Sequence, residues 1–133
     1  MLMRSSALIK GIDLKENYSC NAVSCLCDES KIKQVIINLL SNAFDASERG
    51  CCVVISTYRE NQNICISVKD TGTGISDEII TSIFEPFFTE KTQGTGMGLF
   101  LSKQIAKEHG GDLVVKSTLG QGSEFILQLP IGA

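Results

Sequence analysis

The stretch GTGMGLFLSKQIAKEHGG, from Gly94 to Gly111, places three alternating glycines directly before a predicted helix. Glycine allows a backbone to approach a ligand closely, and the free N–H groups and the dipole of a helix N-terminus favour phosphate. The G-x-G-x-G spacing of Gly94, Gly96 and Gly98 matches neither the dinucleotide motif G-x-G-x-x-G nor the phosphate loop G-x-x-x-x-G-K-S/T. The glycines alone therefore indicate a phosphate ligand only weakly.

The composition of the 133-residue chain predicts one globular domain, because 43% hydrophobic and 20% charged residues suffice for a buried core. A net charge of -3 and a pI of about 5.1 offer no basic surface for nucleic acid or an anionic membrane. No apolar run reaches membrane-spanning length and no secretion signal is present, so we expect a soluble, cytoplasmic segment. The six cysteines include no C-x-x-C pair and are predicted to be reduced.

Hydrophobic periodicity predicts a helix over Ser30–Ser47, with apolar side chains on one side at about 100° per residue. Asp28 is available as its N-cap and Gly50 as its stop signal. A short helix near Ser76–Ile83 and a helix over Met97–His109 are also predicted.

Alternation of apolar and polar residues predicts four strands, over 51–60, 63–70, 111–118 and 123–130. The turn NQN joins the first two as a hairpin, and LGQG joins the last two. The expected fold class is α+β, a two-layer sandwich with helices over one face of a mixed, mostly antiparallel sheet.

Asn38, Asn42 and Asp45 form a polar stripe on the first predicted helix, at positions i, i+4 and i+7. Such a stripe is typical of an ordinary solvated flank. It fits equally well with oxygen donors that converge on Mg²⁺, which prefers hard ligands and retains several waters. Both interpretations stay open from the stripe alone.

Asp70 ends a predicted strand on the same face as its apolar residues, where a lone carboxylate is costly unless something donates to it. It opens the segment DTGTGI, and an Asx turn is one interpretation. An aspartic protease, whose active-site turn is Asp-Thr-Gly, is a remote alternative that Lys69 and the following glycine-rich sequence disfavour. A third is that Asp70 accepts a hydrogen bond from the exocyclic amine of a ligand such as adenine, with Gly72 and Gly74 keeping the wall thin.

The segment IFEPFFT concentrates Phe84, Phe87 and Phe88 around Pro86. It is either a core plug or the anchor of a mobile lid whose polar part, TEKTQ, orders on a ligand. Together with Asp70 and the asparagine stripe, the glycine triplet favours a nucleotide pocket over three unrelated coincidences.

Five segments taken in order resemble the N, G1, F and G2 boxes and the closing strand of sensor histidine kinase catalytic domains. They are QVIINLLSNAFDA, DTGTGI, IFEPFFT, GTGMGLFLSKQIAKEHGG and GQGSEFILQLP, and they span roughly residues 28–130. The resemblance implies the Bergerat ATP-binding fold, shared with gyrase, a heat-shock chaperone and mismatch-repair ATPases. The NAFDA and EPFFT forms are similar to those of nitrogen-regulator-type kinases.

By this resemblance, the bound cofactors are ATP and Mg²⁺. Asn42 would ligate Mg²⁺, Asn38 would lie beside it near the phosphates, and these two would be the catalytic residues. Asp70 would bind the adenine amino group, with Gly72 and Gly74 lining the base. The remaining implied nucleotide contacts are Asp45, Ile75, Phe84, Lys91, Gly94, Thr95, Gly96, Met97, Gly98, Leu99 and Ser123. Asp45 stands where many histidine kinases carry Lys or Arg, so Lys91 is expected to carry more of the phosphate contact.

The resemblance also implies how the chain is organised. Residues 1–10 would end a helix leading from a dimerisation domain, and residues 11–133 would form the catalytic domain. The only histidine, His109, lies at a predicted helix end and is expected to be structural, so the phosphoacceptor histidine belongs to a separate domain.

The expected activity is therefore that of a protein-histidine kinase that cannot phosphorylate itself without the histidine domain. Its partners would be that dimerisation/phosphotransfer domain and a response regulator, without nucleic acid or direct membrane contact. The isolated domain would be a monomer, and the full kinase would be a homodimer. This part would lie in the cytoplasm, either as a soluble protein or as the cytoplasmic part of a membrane-bound sensor. A serine kinase of the anti-sigma-factor type and an ATP-hydrolysing clamp of the same fold remain alternatives.

Overall fold

The computed structural model describes residues 11–18, 28–85 and 98–131. The described elements are, in chain order, β1 (Asp13–Tyr18), α1 (Glu29–Ala46), β2 (Cys52–Glu60), β3 (Asn63–Asp70), α2 (Gly98–Glu108), β4 (Asp112–Thr118) and β5 (Gly122–Pro130). Neither described helix is both long and apolar enough to cross a membrane.

The strands form one sheet in the order β1-β2-β3-β5-β4. β1 pairs with β2 in parallel, and the other neighbouring strands are antiparallel. The two helices pack on one face of this sheet, so the predicted α+β sandwich with a mixed, mostly antiparallel sheet is confirmed. The predicted β2–β3 hairpin is also present, and Asn61 at its turn takes a left-handed φ of 56°.

Helix α1 forms where the apolar periodicity predicts it. The Asp28 side chain accepts a hydrogen bond from the Lys31 backbone N–H at 3.2 Å, which satisfies one donor of the first turn. At the other end, the Ser47 hydroxyl donates to the Ala43 carbonyl at 2.7 Å. The buried side chains of the helix are Ile32, Val35, Leu39, Leu40, Ala43 and Phe44.

The hydrophobic core lies between the helices and the sheet. Its fully buried side chains include Leu39 and Leu40 from α1 and Leu113 and Leu127 from the sheet. Helix α2 buries Ser102 and Ala106. The serine is the one polar side chain that this helix buries completely.

Strand β1 was not predicted from the sequence, and the prediction of a helix near residues 76–83 is wrong. In β1 only Leu14 and Tyr18 are not charged or amidic, so local pattern gave no signal, and the strand is defined by its pairing with β2. Residues 77–84 form successive turns. The run is short and rich in β-branched residues, which disfavours helix nucleation.

Candidate functional site

Asp70 lies at the end of β3 with only 3% of its surface exposed. Its Oδ1 accepts a 2.8 Å hydrogen bond from the Gly72 backbone N–H, which closes an Asx turn. Burial raises the pKa of Asp70 above its ordinary value, while hydrogen bonds from the backbone amides of Gly72 and Ser123 act in the opposite direction. Within the described ranges, no lysine or arginine forms an ion pair with this carboxylate.

The turn after Asp70 is pressed against two other parts of the backbone. A Cβ on Gly72 would collide with the Ala46 carbonyl at the end of α1, and one on Gly74 would collide with the Thr118 carbonyl. Gly74 also has a φ of +71°. These contacts explain why the segment needs glycine at both positions, and they fix the turn against the C-terminus of α1.

A hydroxyl network holds Ile75 and Ser123 beside this turn. The Ser117 hydroxyl accepts from the Ile75 backbone N–H at 2.7 Å and donates to the Gly122 carbonyl at 3.0 Å. It also lies 2.8 Å from the Ser123 hydroxyl. Because Ser117 has one hydroxyl hydrogen, which goes to Gly122, Ser123 is the donor in that pair. The structure thus brings Asp70, Gly72, Gly74, Ile75 and Ser123 together.

A second group of predicted residues lies where α1 contacts α2. The Asn38 Nδ2 donates to the Ser102 hydroxyl at 3.3 Å, and Asn38 Oδ1 accepts from Gln34 at 3.2 Å. Gly98 is the first residue of α2, and a Cβ there would lie 3.9 Å from the Asn38 Cγ. Leu99, in the same first turn, packs against the core.

Helix α1 connects the two groups. Asn38 is eight positions before Ala46, so the α2 end and the Asp70 end are separated by roughly 12 Å along the helix at 1.5 Å per residue. Asn42, which is half-buried, and Asp45, which is exposed, are on the helix between them. The arrangement is an elongated site with a buried carboxylate at one end and a helix N-terminus at the other.

Phe84 packs between α2 and the sheet. Its ring meets Phe125 edge to face, with centroids 6.3 Å apart, and the Lys103 Nζ lies 4.5 Å from its centroid. Lys103 also donates to the Leu113 carbonyl at 3.0 Å and contacts Asp112 at 3.3 Å. The core-plug interpretation therefore describes the contacts of Phe84, while Phe87 and Phe88 lie outside the described residues.

The remaining predicted contacts, Lys91, Gly94, Thr95, Gly96 and Met97, also lie outside the described residues. The predictions for these positions stay predictions. Residues 1–10 lie outside as well, and so do Cys20, Cys25 and Cys27.

Two residues of the site, Ser102 and Ser117, were not predicted from the sequence. Ser102 lies three residues after Leu99 and four before Ala106, on the buried side of α2, so a polar residue on an apolar helix stripe was a usable signal. Ser117 lies two residues after Val115 and four after Leu113, on the core-facing side of β4, so a polar residue at that parity was also a usable signal.

His109 has a structural role at the end of α2, as expected. Its Nδ1 lies 2.8 Å from the Ile105 carbonyl, and its Nε2 accepts from the Asp28 backbone N–H at 2.9 Å. Nδ1 is therefore the protonated nitrogen, because a carbonyl can only accept. The imidazole connects the C-terminus of α2 to the N-terminus of α1.

Comparison with known proteins decides what kind of site this is. Residues 27–133 match the family described as histidine kinase-, DNA gyrase B- and HSP90-like ATPases. The chain belongs to this ATPase family. The assignment removes the aspartic-protease alternative, because the Asp-Thr-Gly turn is part of an ATPase sheet.

The ATPase domain is similar in sequence to sporulation and sensor kinases. It is 37% identical over 132 residues to Sporulation kinase C of Bacillus subtilis (strain 168), covering 98% of this chain and 31% of that kinase. The chain thus spans less than a third of the length of this relative.

Solved histidine kinases share its fold. The catalytic domain of histidine kinase ThkA matches with a TM-score of 0.87 and 32% identity, covering 97% of this chain and 85% of that chain. Full-length ShkA in complex with AMPPNP matches with a TM-score of 0.88 and 30% identity, over 99% of this chain and 28% of that chain. ThkA in complex with the response regulator protein TrrA matches with a TM-score of 0.82 and 28% identity, over 98% and 37% of the two chains. The ATPase domain is therefore a catalytic, ATP-binding domain of the histidine kinase type.

Proposed function

We propose that this domain holds Mg²⁺-ATP and donates its γ-phosphate to a histidine on a separate dimerisation/phosphotransfer domain. The observation that carries the proposal is Asp70, a carboxylate 3% exposed that no described cation balances. A buried carboxylate needs donors, and the exocyclic amine of adenine is one. Gly72 and Ser123 supply backbone donors on the protein side, so the site is built around an acceptor.

The residues at the other end suit phosphates and a divalent cation. The Asn42 amide offers a hard oxygen donor of the kind Mg²⁺ accepts, and Mg²⁺ commonly takes few protein ligands together with substrate phosphates and waters. Gly98 opens α2, whose N-terminal N–H groups and dipole favour anions. Asn42 would hold Mg²⁺, and the ion would neutralise phosphate charge during transfer.

Catalysis by this chain would rest on positioning and charge neutralisation. Asn38 lies one helical turn before Asn42, and its amide cannot accept a proton at neutral pH. Water in this site therefore gains no general base from that position. A histidine, which is already a good nucleophile, needs only to be placed in line with the γ-phosphate.

The proposed partners follow from the relatives. AMPPNP, an ATP analogue, is bound by full-length ShkA, and ThkA forms a complex with the response regulator TrrA. We infer that this domain acts within a homodimeric sensor kinase in the cytoplasm. There it would phosphorylate a histidine-bearing domain, and the phosphoryl group would then pass to a response regulator.

Two alternatives of the same fold predict different products. A serine kinase would leave an acid-stable phosphate on its target, and a clamp would release phosphate to water. The test is to supply a histidine-bearing helical hairpin with this domain, Mg²⁺ and γ-labelled ATP. Acid-labile, base-stable label on the hairpin is expected; acid-stable label on a seryl target instead would contradict the proposal.

A further inference from the structure

Ser102 occupies the contact between α1 and α2 with 0% of its surface exposed. Its hydroxyl accepts a hydrogen bond from Asn38 Nδ2 at 3.3 Å. A buried hydroxyl without a partner is costly, and a serine inside a helix usually finds one in its own preceding turn or in solvent. Here the partner is a side chain 64 positions away on another helix.

The Asn38 amide is held at both of its ends. Nδ2 is directed to Ser102 on α2, and Oδ1 accepts from Gln34 on α1 at 3.2 Å. The two bonds together hold the amide between α2 and the preceding turn of α1. Ser102 thus helps to fix the position of the Asn38 side chain.

The pair lies close to the N-terminus of α2. Gly98 precedes Ser102 by one helical turn, and a Cβ at Gly98 would lie 3.9 Å from the Asn38 Cγ. Asn38 therefore lies next to the helix N-terminus that suits phosphate, and Ser102 supports it from the buried side.

We propose that Ser102 is a positioning residue for the phosphate end of the nucleotide, acting through Asn38. It fixes the amide and ties the α2 N-terminus to the helix that carries Asn42. This inference rests on the proposed function, because it assumes that phosphates lie at this end of the site. A serine that served only core packing would affect stability and all ligands alike.

The test compares ligands with and without phosphates. Ser102→Ala should weaken Mg²⁺-AMPPNP binding by roughly fivefold, the equivalent of one ordinary hydrogen bond, and leave adenosine binding unchanged. Calorimetry measures the affinity for Mg²⁺-AMPPNP, and an NMR titration measures the weaker affinity for adenosine. Equal losses for both ligands, or no loss for either, would overturn the proposal.

A double-mutant cycle shows whether Ser102 acts through Asn38. Once Asn38→Ala has removed the amide, adding Ser102→Ala should cause no further loss of AMPPNP affinity. Additive losses would mean that Ser102 acts by another route and would also overturn the proposal.

Ser67→Ala is the matched control. Ser67 is 3% exposed, and its hydroxyl donates to Glu124 at 2.6 Å on the sheet face opposite the helices. Its loss should lower the melting temperature without changing either affinity. If the unmodified domain fails to bind AMPPNP, the proposed function fails; if it binds and Ser102→Ala binds equally well, only the inference about Ser102 fails.

Discussion

The Gly72 backbone N–H donates to Asp70 Oδ1 at 2.8 Å, so the residue that would recognise adenine is also the residue that closes its own turn. The Asx-turn and ligand-acceptor interpretations are therefore compatible. A carboxylate has two oxygens and about four acceptor positions, and the turn uses one of them. The same hydrogen bond that shapes the loop also fixes the acceptor in place.

Asp70→Asn should abolish adenine-nucleotide binding in a folded domain. The asparagine Oδ1 can still accept from Gly72, so the turn persists, but the charge is lost and one acceptor oxygen becomes an NH₂ donor facing the ligand amine. Calorimetry with ADP measures the loss. Asp112→Asn is the control: this carboxylate pairs with Lys103 and Lys107, so its loss should cost stability and leave ADP affinity intact. ADP binding by Asp70→Asn at the affinity of the parent would remove Asp70 from the site.

Stability should depend on pH through Asp70 with a definite sign. Its folded-state pKa is raised by burial, so its contribution to folding is fully present below the unfolded-state pKa and is lost as pH rises through the folded-state value. The asparagine variant has no such titration. The unfolding free energy of the variant minus that of the parent should therefore be largest above the folded-state pKa of Asp70 and should decrease as the pH falls. A difference that is flat with pH would show that Asp70 titrates normally.

ADP affinity should fall in acid for the same reason. Protonation fills an acceptor position of the carboxyl that the adenine amine needs, and the raised pKa brings this protonation to a higher pH than that of an ordinary aspartate. Calorimetric titrations of the parent domain with ADP at a series of decreasing pH values measure this loss of affinity. Unchanged affinity while the fold persists would mean that the ionised form is not required.

Lys103→Met should lower the free energy of unfolding by about 1 to 2 kcal/mol, because it removes a cation–π contact with Phe84 and a hydrogen bond to Leu113. Lys107→Met should cost no more than about 0.5 kcal/mol, since that side chain is 59% exposed and contacts only Asp112 among the described carboxylates. Urea unfolding of both variants tests the difference. Equal losses of unfolding free energy in the two variants would show that the contacts of Lys103 with Phe84 and Leu113 do not stabilise the fold.

His109→Ala should lower the free energy of unfolding by about 1 kcal/mol without changing phosphorylation of the histidine-bearing hairpin. Both ring nitrogens are engaged, with Ile105 and with the Asp28 backbone, so neither is available as a phosphoacceptor in the folded domain. The unmodified domain incubated with labelled ATP should carry no acid-labile phosphate. Label that disappears in His109→Ala would show that this histidine is an acceptor.

Much of the architecture follows from local pattern. The periodicity of α1 and the alternation along β2 and β3 identify elements whose apolar faces meet the core, and Asp70 is conspicuous because it breaks that alternation at a buried position. Its importance was visible from the sequence for that reason.

The contacts that organise the site come from pairing between distant segments. β1 exists because it lies against β2, and the Ser102–Asn38 bond joins residues on different helices. Lys103 likewise meets Phe84 and Leu113 only after the chain has folded. The spacing of residues along the chain does not predict contacts between distant segments. The roles of β1, Ser102 and Lys103 could therefore be assigned only from the structure.

The fate of the γ-phosphate distinguishes a histidine kinase from an ATP-hydrolysing clamp. With Mg²⁺, saturating labelled ATP and a histidine-bearing hairpin, we expect acid-labile label on the hairpin and phosphate release barely above background, because Asn38 cannot activate water. Asn42→Ala should abolish the transfer. Any phosphate release that persists in this variant comes from contaminating ATPases. Robust phosphate release that Asn42→Ala abolishes, with no label on the hairpin, would contradict the kinase account and favour an ATP-hydrolysing clamp.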